Sequence, residues 1–309
     1  MTDRRTGAVI VAAGVPDENG GEPLYPLGSI SIAERIVATL QQAGVGRIVF
    51  VTGYHAERLE HQLSRKGVVF LRNERFETTQ MIESARIGLS YLQASCDWIL
   101  FTPVDIPLFT ADTVRSLLET RARLACPVYE GTPGHPILIG SGLLPVLLGD
   151  TGEGGLQGAI ERCGEAMVRV EVPDPGILLD TGRGEEVSSL LEEHNRQLTR
   201  PVVTVSLARE KPFFDEQMAL LFHQIEETGS VRLACQRLQI SYSSGWNMIR
   251  NLESQTDGQL VSRSQGGADP KRSGLTPEGK EFLERFDAYA RQVRENAQLL
   301  FGRFFEDLL

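Results

Sequence analysis

The stretch GAVIVAAGVPDENGGEPLYPLGSISIAERIV, Gly7 to Val37, reads as a strand, a loop and a helix in immediate succession. AVIVAA, Ala8 to Ala13, is continuously apolar, as a strand buried on both faces must be. IAERIVATLQQAG, from Ile32, has helical spacing. Ser31 with Glu34 three residues later forms a capping box at its start, and Gly44 suits its stop. The small residues Val11, Ala12, Ala13 and Gly14 let the backbone approach a ligand closely, and amides in the loop can point at phosphate oxygens. Such a turn is also ordinary after the first strand of any α/β fold, so the loop alone decides nothing. It then runs acidic through Asp17, Glu18 and Glu22, where a triphosphate-holding loop wants Lys or Arg.

Outward from this stretch the alternation continues. RIVFVTG, VVFLRN and WILFTPVD have strand character; AERLEHQL, TTQMIESARIGLSYL and ADTVRSLLETRA have helix spacing. Apolar strands alternating with helices predict an α/β fold with a doubly wound, mostly parallel sheet covered on both faces. Ligands of such sheets sit beyond the carboxyl ends of the strands. Ala13–Gly14 and Val104–Asp105 both fall at such ends and are expected to be neighbours. In FTPVDIPL, Asp105 is bracketed by Pro103 and Pro107, which stiffen its turn. A carboxylate there can hold Mg2+ against phosphate oxygens, or it can cap a helix. In GTPGHPILIG, His135 between Gly134 and Pro136 either shapes a pocket wall or fills a hairpin.

The order of these elements resembles the MobA-like NTP transferases, the nucleotidyltransferases of molybdenum-cofactor maturation. The resemblance runs from about Gly7 to Leu191. It rests on VAAG, PLYPLGSISIAERIV, VTGYHAE with Gly53, RNERFETTQMIESARIGL with Ser84, TPVDIPL, GHPILIG, GDTGEGG and LLDTGRGEE. It implies a nucleotide-diphospho-sugar transferase-like sheet. It also implies a nucleotide held by Val11–Gly14 and the segment around Ser84, with Mg2+ on Asp105 and on a second carboxylate, best matched by Asp180. Gly53, Pro103, Gly134, His135 and Pro136 carry over as nucleotide-site positions, and CTP or GTP as the substrate with a molybdopterin-like acceptor. The departures are specific. Where family members carry an Arg and then a Lys, this chain reads VPDENGGEP, with Glu22 near the expected Lys, and Gly182 falls where many relatives carry another Asp. Arg4 and Arg5 can supply charge from outside the motif.

Length and composition bound these expectations. A chain of 309 residues predicts two domains. The Pro-containing stretch RPVVTVSLAREKPFFDE breaks the alternation, which places the transferase-like domain at 1–199 and a second domain at 200–309. Hydrophobic residues at 41% leave core enough without disulfides. Cys96, Cys126, Cys163 and Cys235 have no C-x-x-C spacing and read as thiols of a reducing cytoplasm. No apolar run reaches the roughly 18 residues of a membrane span, and no signal-peptide pattern is present. A net charge of −10 argues against a general polyanion binder but leaves room for a local basic surface.

The second domain reads as mainly helical. Ser230 caps a short helix with Ala234 at its crossing point, LQI makes a turn, and Ser241 caps YSSGWNMIRNLES. This is the pattern of a helix–turn–helix whose second helix enters the major groove of duplex DNA. Ser241, Ser243, Ser244, Asn247 and Arg250 can reach phosphates or base edges, while Trp246, Ile249 and Leu252 form an apolar stripe. GQLVSRSQGGADPKRSGLT then reads as a β-hairpin wing with Arg263, Lys271 and Arg272 near its tip. Thr276 caps a final helix with Pro277 at its first position. The run from Phe214 to about Tyr289 resembles the LysR-type winged helix of ModE-like molybdate-responsive regulators. That resemblance implies a homodimer through the last helix, where Phe282, Phe286, Tyr289 and Val293 lie on one stripe.

Two functions are therefore expected. One is a cytoplasmic, Mg2+-dependent nucleotidyltransferase fused to a DNA-binding regulatory module. The other is a transcription regulator whose degenerate transferase-like domain senses a nucleotide or cofactor. An interaction protein that uses a dead α/β domain as scaffold is the third alternative, and the second domain by itself could also be a small helical interaction domain.

Overall fold

β1 (Thr6–Ala12) is buried along six of its seven residues and forms the centre of the fold. The structure, a computed structural model, describes residues 5–15, 22–181, 184–256, 258–263 and 273–305, with backbone alone at 184–186 and 263. The acidic residues Asp17 and Glu18, together with Arg4 and Gly182, lie outside the described residues. The chain divides into two compact units, Met1–Thr199 and Arg200–Leu309.

In the first unit β2 (Pro26–Leu27) and β3 (Ile30–Ser31) form a minimal hairpin that feeds α1 (Ile32–Gln42). The Ser31 and Glu34 capping box is present on both sides, and Gly44 beyond the helix has φ +85°. β4 (Arg47–Thr52), α2 (Ala56–Leu63), β5 (Val68–Arg72), α3 (Met81–Leu92), β6 (Trp98–Pro103) and α4 (Ala111–Glu119) follow the expected alternation. Then come β7 (Leu124–Tyr129), β8 (Thr132–Pro133), β9 (Ile137–Gly140), α5 (Leu144–Gly149), α6 (Gly155–Arg162), β10 (Val168–Glu171) and α7 (Gly184–Gln197).

The sheet order is β10-β7-β9-β6-β1-β4-β5, with β8 against β7. β1 pairs parallel with β4 on one side and with β6 on the other. The chain thus winds outward through β4 and β5, then crosses back by α3 to β6. β9 runs antiparallel to both β6 and β7, so the doubly wound sheet is mixed but mostly parallel. Beneath it, Glu60 is fully buried. It takes a bidentate grip from Arg72 and a hydrogen bond from the Thr52 hydroxyl, tying the ends of β4 and β5 together.

In the second unit β11 (Ser206–Ala208) and β12 (Pro212–Asp215) form a hairpin where the sequence showed only broken alternation. α8 (Glu216–Thr228), α9 (Val231–Arg237) and α10 (Tyr242–Glu253) follow. Ser230 and Ser241 cap α9 and α10 through their side chains. A Cβ on Gly245 would stand 2.3 Å from the Cys235 sulfur, so a residue without a side chain is required where the two helices cross. Ala234, Ile249 and Leu252 are buried as expected, whereas Trp246 is half-buried. β13 (Val261–Arg263) and β14 (Ser273–Leu275) pair antiparallel as the base of the wing. α11 (Pro277–Phe305) starts at the proline, with the Thr276 hydroxyl accepting from the Gly279 amide.

The expected partner stripe on α11 needs correction. Phe282 and Phe286 pack edge-on against Phe214 of the same chain, with ring centres 4.9 and 4.7 Å away. Aromatic pairs prefer this geometry, and it closes the unit's own core. Tyr289 and, further along, Leu299, Leu300, Phe304 and Phe305 are the exposed large apolar residues of that helix. Among the described residues no helix is long and apolar enough to cross a membrane. The four thiols are unbridged; Cys96, Cys126 and Cys235 are buried and Cys163 is half-buried.

Candidate functional site

At the carboxyl ends of β1 and β6 the crossovers leave in opposite directions, and a crevice opens where neither helix covers the sheet. The Val104 amide donates to the Val11 carbonyl at 3.0 Å, which brings the two strand ends together. The Tyr54 amide donates to the Ala13 carbonyl at 3.0 Å, fixing the small-residue turn from the β4 side. The pocket there has a volume of about 250 Å³. Its wall includes Val11, Ala12, Ala13, Gly14, Ser84, Pro103, Asp105 and Asp180. The expected proximity of Gly14 and Asp105 is thus present, and with it a second carboxylate distant in sequence. The Thr181 amide donates to the Asp105 carbonyl at 3.0 Å, which docks the Leu178–Thr181 segment beside the β6 end.

Other residues singled out in the sequence lie elsewhere. Gly53 stands behind the turn, where a Cβ would approach the Ala13 carbonyl oxygen to 2.5 Å and Phe76 to 2.7 Å. Its bare backbone is what lets the turn settle. Gly134, His135 and Pro136 are not part of the pocket wall. The His135 amide donates to the Ile177 carbonyl at 3.0 Å, and its ring lies 6.2 Å from Phe101. Burial lowers the His135 pKa, with a backbone hydrogen bond to Phe101 acting against it. The imidazole is therefore a neutral packing group beside β6. Arg5 also falls away from the site: it precedes β1, and a strand of seven residues separates it from the turn by roughly 20 Å. Its amide is held by Asp97.

Sequence reading missed Asn73. It is 5% exposed and follows β5 directly. Its Nδ2 donates to the hydroxyl oxygens of Thr79 and Ser84, at 2.9 and 3.0 Å, and its Oδ1 accepts from the Arg75 amide. Thr79 and Ser84 both line the pocket, so one buried amide sets the position of a whole wall. The signal was an Asn at a strand's carboxyl end inside RNERFETTQMIES, but its partners could be identified only in three dimensions. Phe76, Gln80 and Met81 complete that wall.

The electrostatics are one-sided. Among the described residues the pocket wall carries Asp105 and Asp180 and no Lys or Arg. Glu22 is exposed at the return of the loop, its carbonyl accepting from the Tyr25 amide at 2.9 Å. Two carboxylates are too few to enclose a metal without help, and no group of three or more His, Cys, Asp or Glu occurs among the described residues. They do suit Mg2+, which keeps several waters and is commonly held by one or two carboxylates together with substrate phosphates.

In the second unit Ser241, Ser243, Ser244, Asn247 and Arg250 are all exposed on α10. The Ser241 hydroxyl oxygen accepts from the Ser244 amide at 3.1 Å. The wing base is anchored by carboxylates: Glu253 accepts from the Leu260 and Val261 amides, and Glu226 from the Leu275 amide. The side chain of Arg263 and all of Lys271 and Arg272 lie outside the described residues.

Comparison with known proteins matches this architecture. Residues 8–167 match the family described as MobA-like NTP transferase domain, and residues 217–280 the bacterial regulatory helix-turn-helix proteins of the lysR family. The bifunctional protein GlmU of Staphylococcus haemolyticus is 28% identical over 115 residues, covering 36% of this chain and 25% of GlmU. The transcriptional regulator ModE of Yersinia pestis is 29% identical over 82 residues, 26% of this chain and 31% of ModE. The chain thus spans about a quarter to a third of these relatives. A nucleotidyl transferase from Methanothermobacter thermautotroptrophicus superposes with a TM-score of 0.53 at 23% identity, over 62% of this chain and 98% of that one. That likeness is one of fold.

Proposed function

The chain belongs to the MobA-like NTP transferase domain family and carries a lysR-type helix-turn-helix after that domain, and from this premise we propose a Mg2+-dependent nucleotidyltransferase joined to a DNA-binding regulator. The observation that carries the reading is the convergence of Ala12–Gly14, Ser84, Asp105 and Asp180 on one pocket at the switch point of the sheet. The nucleotide, CTP or GTP, would lie against the Val11–Gly14 backbone and the Asn73-supported wall. Asp105 and Asp180 would hold Mg2+, which supplies charge neutralisation for the phosphates when bound. The chain's own contribution is alignment: it sets an acceptor phosphate, of the molybdopterin type, in line with the α-phosphorus so that pyrophosphate leaves. No covalent intermediate with the protein is required. A reducing cytoplasm and a homodimer on DNA complete the proposal.

A second reading is favoured by Glu22 and by a wall whose charged residues, among those described, are both carboxylates: the domain binds a nucleotide or cofactor and reports it to the DNA-binding unit without turnover. Isothermal titration of CTP, GTP and ATP with Mg2+, followed by a pyrophosphate-release assay with molybdopterin, separates the two. Tight binding without pyrophosphate favours the sensor; no nucleotide binding at all removes both.

Two expected outcomes test the pocket. Glu22→Lys should tighten triphosphate binding about tenfold, the equivalent of roughly 1.4 kcal/mol, by replacing a carboxylate with a cation. An unchanged affinity would mean that Glu22 does not face the phosphates. Asn73→Ala should weaken nucleotide binding by about tenfold or more, because the buried Ser84 hydroxyl loses its donor, at a cost of roughly 1–3 kcal/mol, and the wall it belongs to loses its support. Titration at constant Mg2+ reads this directly, and unaltered affinity would reduce Asn73 to a loop residue.

A further inference from the structure

Between Gly229 and Leu252 the chain carries three arginines, Arg232, Arg237 and Arg250, and no carboxylate. From Ser206 to Leu309 it carries 13 Lys and Arg against 15 Asp and Glu. The helix–turn–helix is therefore locally positive for want of carboxylates, although the unit as a whole is acidic. Arg237 leans toward the Gln224 side-chain oxygen at 3.5 Å. Arg250 is exposed toward the end of α10. Arg232 is held differently from either.

The Arg232 guanidinium carbon lies 4.8 Å from the centre of the Tyr242 ring. Tyr242 in turn meets Trp246 edge-on at 6.3 Å, one helical turn along α10. Trp246 is half-buried, Tyr242 is 44% exposed and Arg232 is exposed. The three side chains form a line of contacts that runs from the half-buried Trp246 to a cation in solvent beside the recognition helix. An exposed tyrosine at the first position of that helix contributes little burial. Its geometric effect is to hold the guanidinium of α9 against α10.

A guanidinium that meets a ring through its face keeps its N–H donors, which lie in the plane, open. Those donors form the fork that accepts phosphate oxygens in pairs. Among the described residues Arg232 makes no ion pair, so no described carboxylate competes for it. Ordering the side chain in advance also removes part of the entropy that a flexible arginine loses on binding.

We infer that Arg232 is a phosphate contact of the DNA-binding surface and that Tyr242, braced by Trp246, is the residue that positions it. The inference rests on the reading of this unit as a binder of duplex DNA. Phosphate contacts set register and orientation but carry no base preference. Arg232 thus complements Ser243, Ser244 and Asn247, whose shorter side chains suit base edges.

The test is fluorescence anisotropy on the full chain, with a labelled duplex selected by the wild-type protein from a random pool and a scrambled duplex, each over a salt series. Arg232→Ala should weaken binding to both duplexes alike, by about fivefold to tenfold, and reduce the slope of log K against log salt by about 0.9 for each bound copy. Arg232→Lys should retain the slope, because the charge remains. Tyr242→Phe should match wild type, while Tyr242→Ala should lose affinity for both duplexes with the slope kept. Arg232 and Tyr242 are both exposed, so the alanine variants are expected to keep the fold, which an unchanged melting temperature checks. Wild-type slope and affinity in Arg232→Ala would overturn the inference alone. A loss confined to the selected duplex would also overturn it, by making Arg232 a base reader. Failure of the wild-type chain to bind either duplex at low salt would remove the DNA-binding reading and the inference with it.

Discussion

Asp105→Asn should slow pyrophosphate release by at least about a hundredfold, the usual cost of removing one preorganised charge from a transferring centre. The variant keeps the shape of the side chain and removes its negative charge. Asp105 is half-buried at the end of β6, and its backbone carbonyl, which the substitution leaves alone, takes the Thr181 amide. The melting temperature should therefore move little, so a lost activity cannot be read as a lost fold. A second readout covers the case in which the wild-type chain does not turn over. Nucleotide affinity of the wild type should rise with added Mg2+, and that dependence should vanish in Asp105→Asn. Parallel Mg2+ titrations of the two proteins check this; an identical dependence would place the metal elsewhere and remove Asp105 from the site. Asp180→Asn should behave similarly but more weakly, since Asp180 is exposed and water can replace part of its contribution.

The first unit should also lose stability steeply in mild acid, through His194. This histidine is 4% exposed on α7. Its Nε2 lies 3.1 Å from the Phe109 carbonyl oxygen, and its Nδ1 lies 3.1 Å from a guanidinium nitrogen of Arg35. Arg35 is buried as well and donates to Asn195 and to the Leu27 carbonyl, so it joins α1, the loop return and α7. Burial lowers the His194 pKa from 6.5 to about 4, with the neighbouring Arg35 charge adding to the effect and the Phe109 hydrogen bond opposing it. The folded state thus keeps the ring neutral where the unfolded chain has taken up a proton. The stability that this neutral ring supports is complete above pH 6.5 and is lost as the pH falls toward 4, up to about 3 kcal/mol in all. Trp98 and Trp246 are the two tryptophans, one in each unit. In a Trp246→Phe background, Trp98 fluorescence isolates the unit that holds His194. Urea unfolding followed in this way at several pH values should show stability falling between pH 6.5 and 4, and His194→Gln should flatten the curve. An equally steep decline in His194→Gln would assign the acid sensitivity to other groups.

Much of the molecule follows from local chemistry and could be read along the chain. The Ser31 and Glu34 box, the Ser230 and Ser241 caps and the Pro277 start involve residues three or fewer positions apart, so their hydrogen bonds form in any context that lets the helix begin. The alternation of apolar strands with helices leaves a parallel sheet little choice of topology, because crossovers are right-handed and strands need cover on both faces. From that, Asp105 and the Ala12–Gly14 turn had to meet.

What the chain order alone could not decide was everything that depends on direction or on a partner far away in sequence. The antiparallel entry of β9 between β6 and β7 is one example, since an apolar run has the same period in either direction. Phe286 lies on an amphipathic stripe whether it faces a second copy or Phe214, and only packing put it against Phe214. Arg5 was a candidate to supply charge from outside the motif, yet an extended strand holds it and the turn at opposite ends of the sheet. Asn73 with Ser84, Arg35 with His194 and Arg232 with Tyr242 are joined by contacts that each span ten or more residues. No periodicity marks such pairs, because the free energy that holds them is gained only after the strands and helices have packed and closed the loops between them.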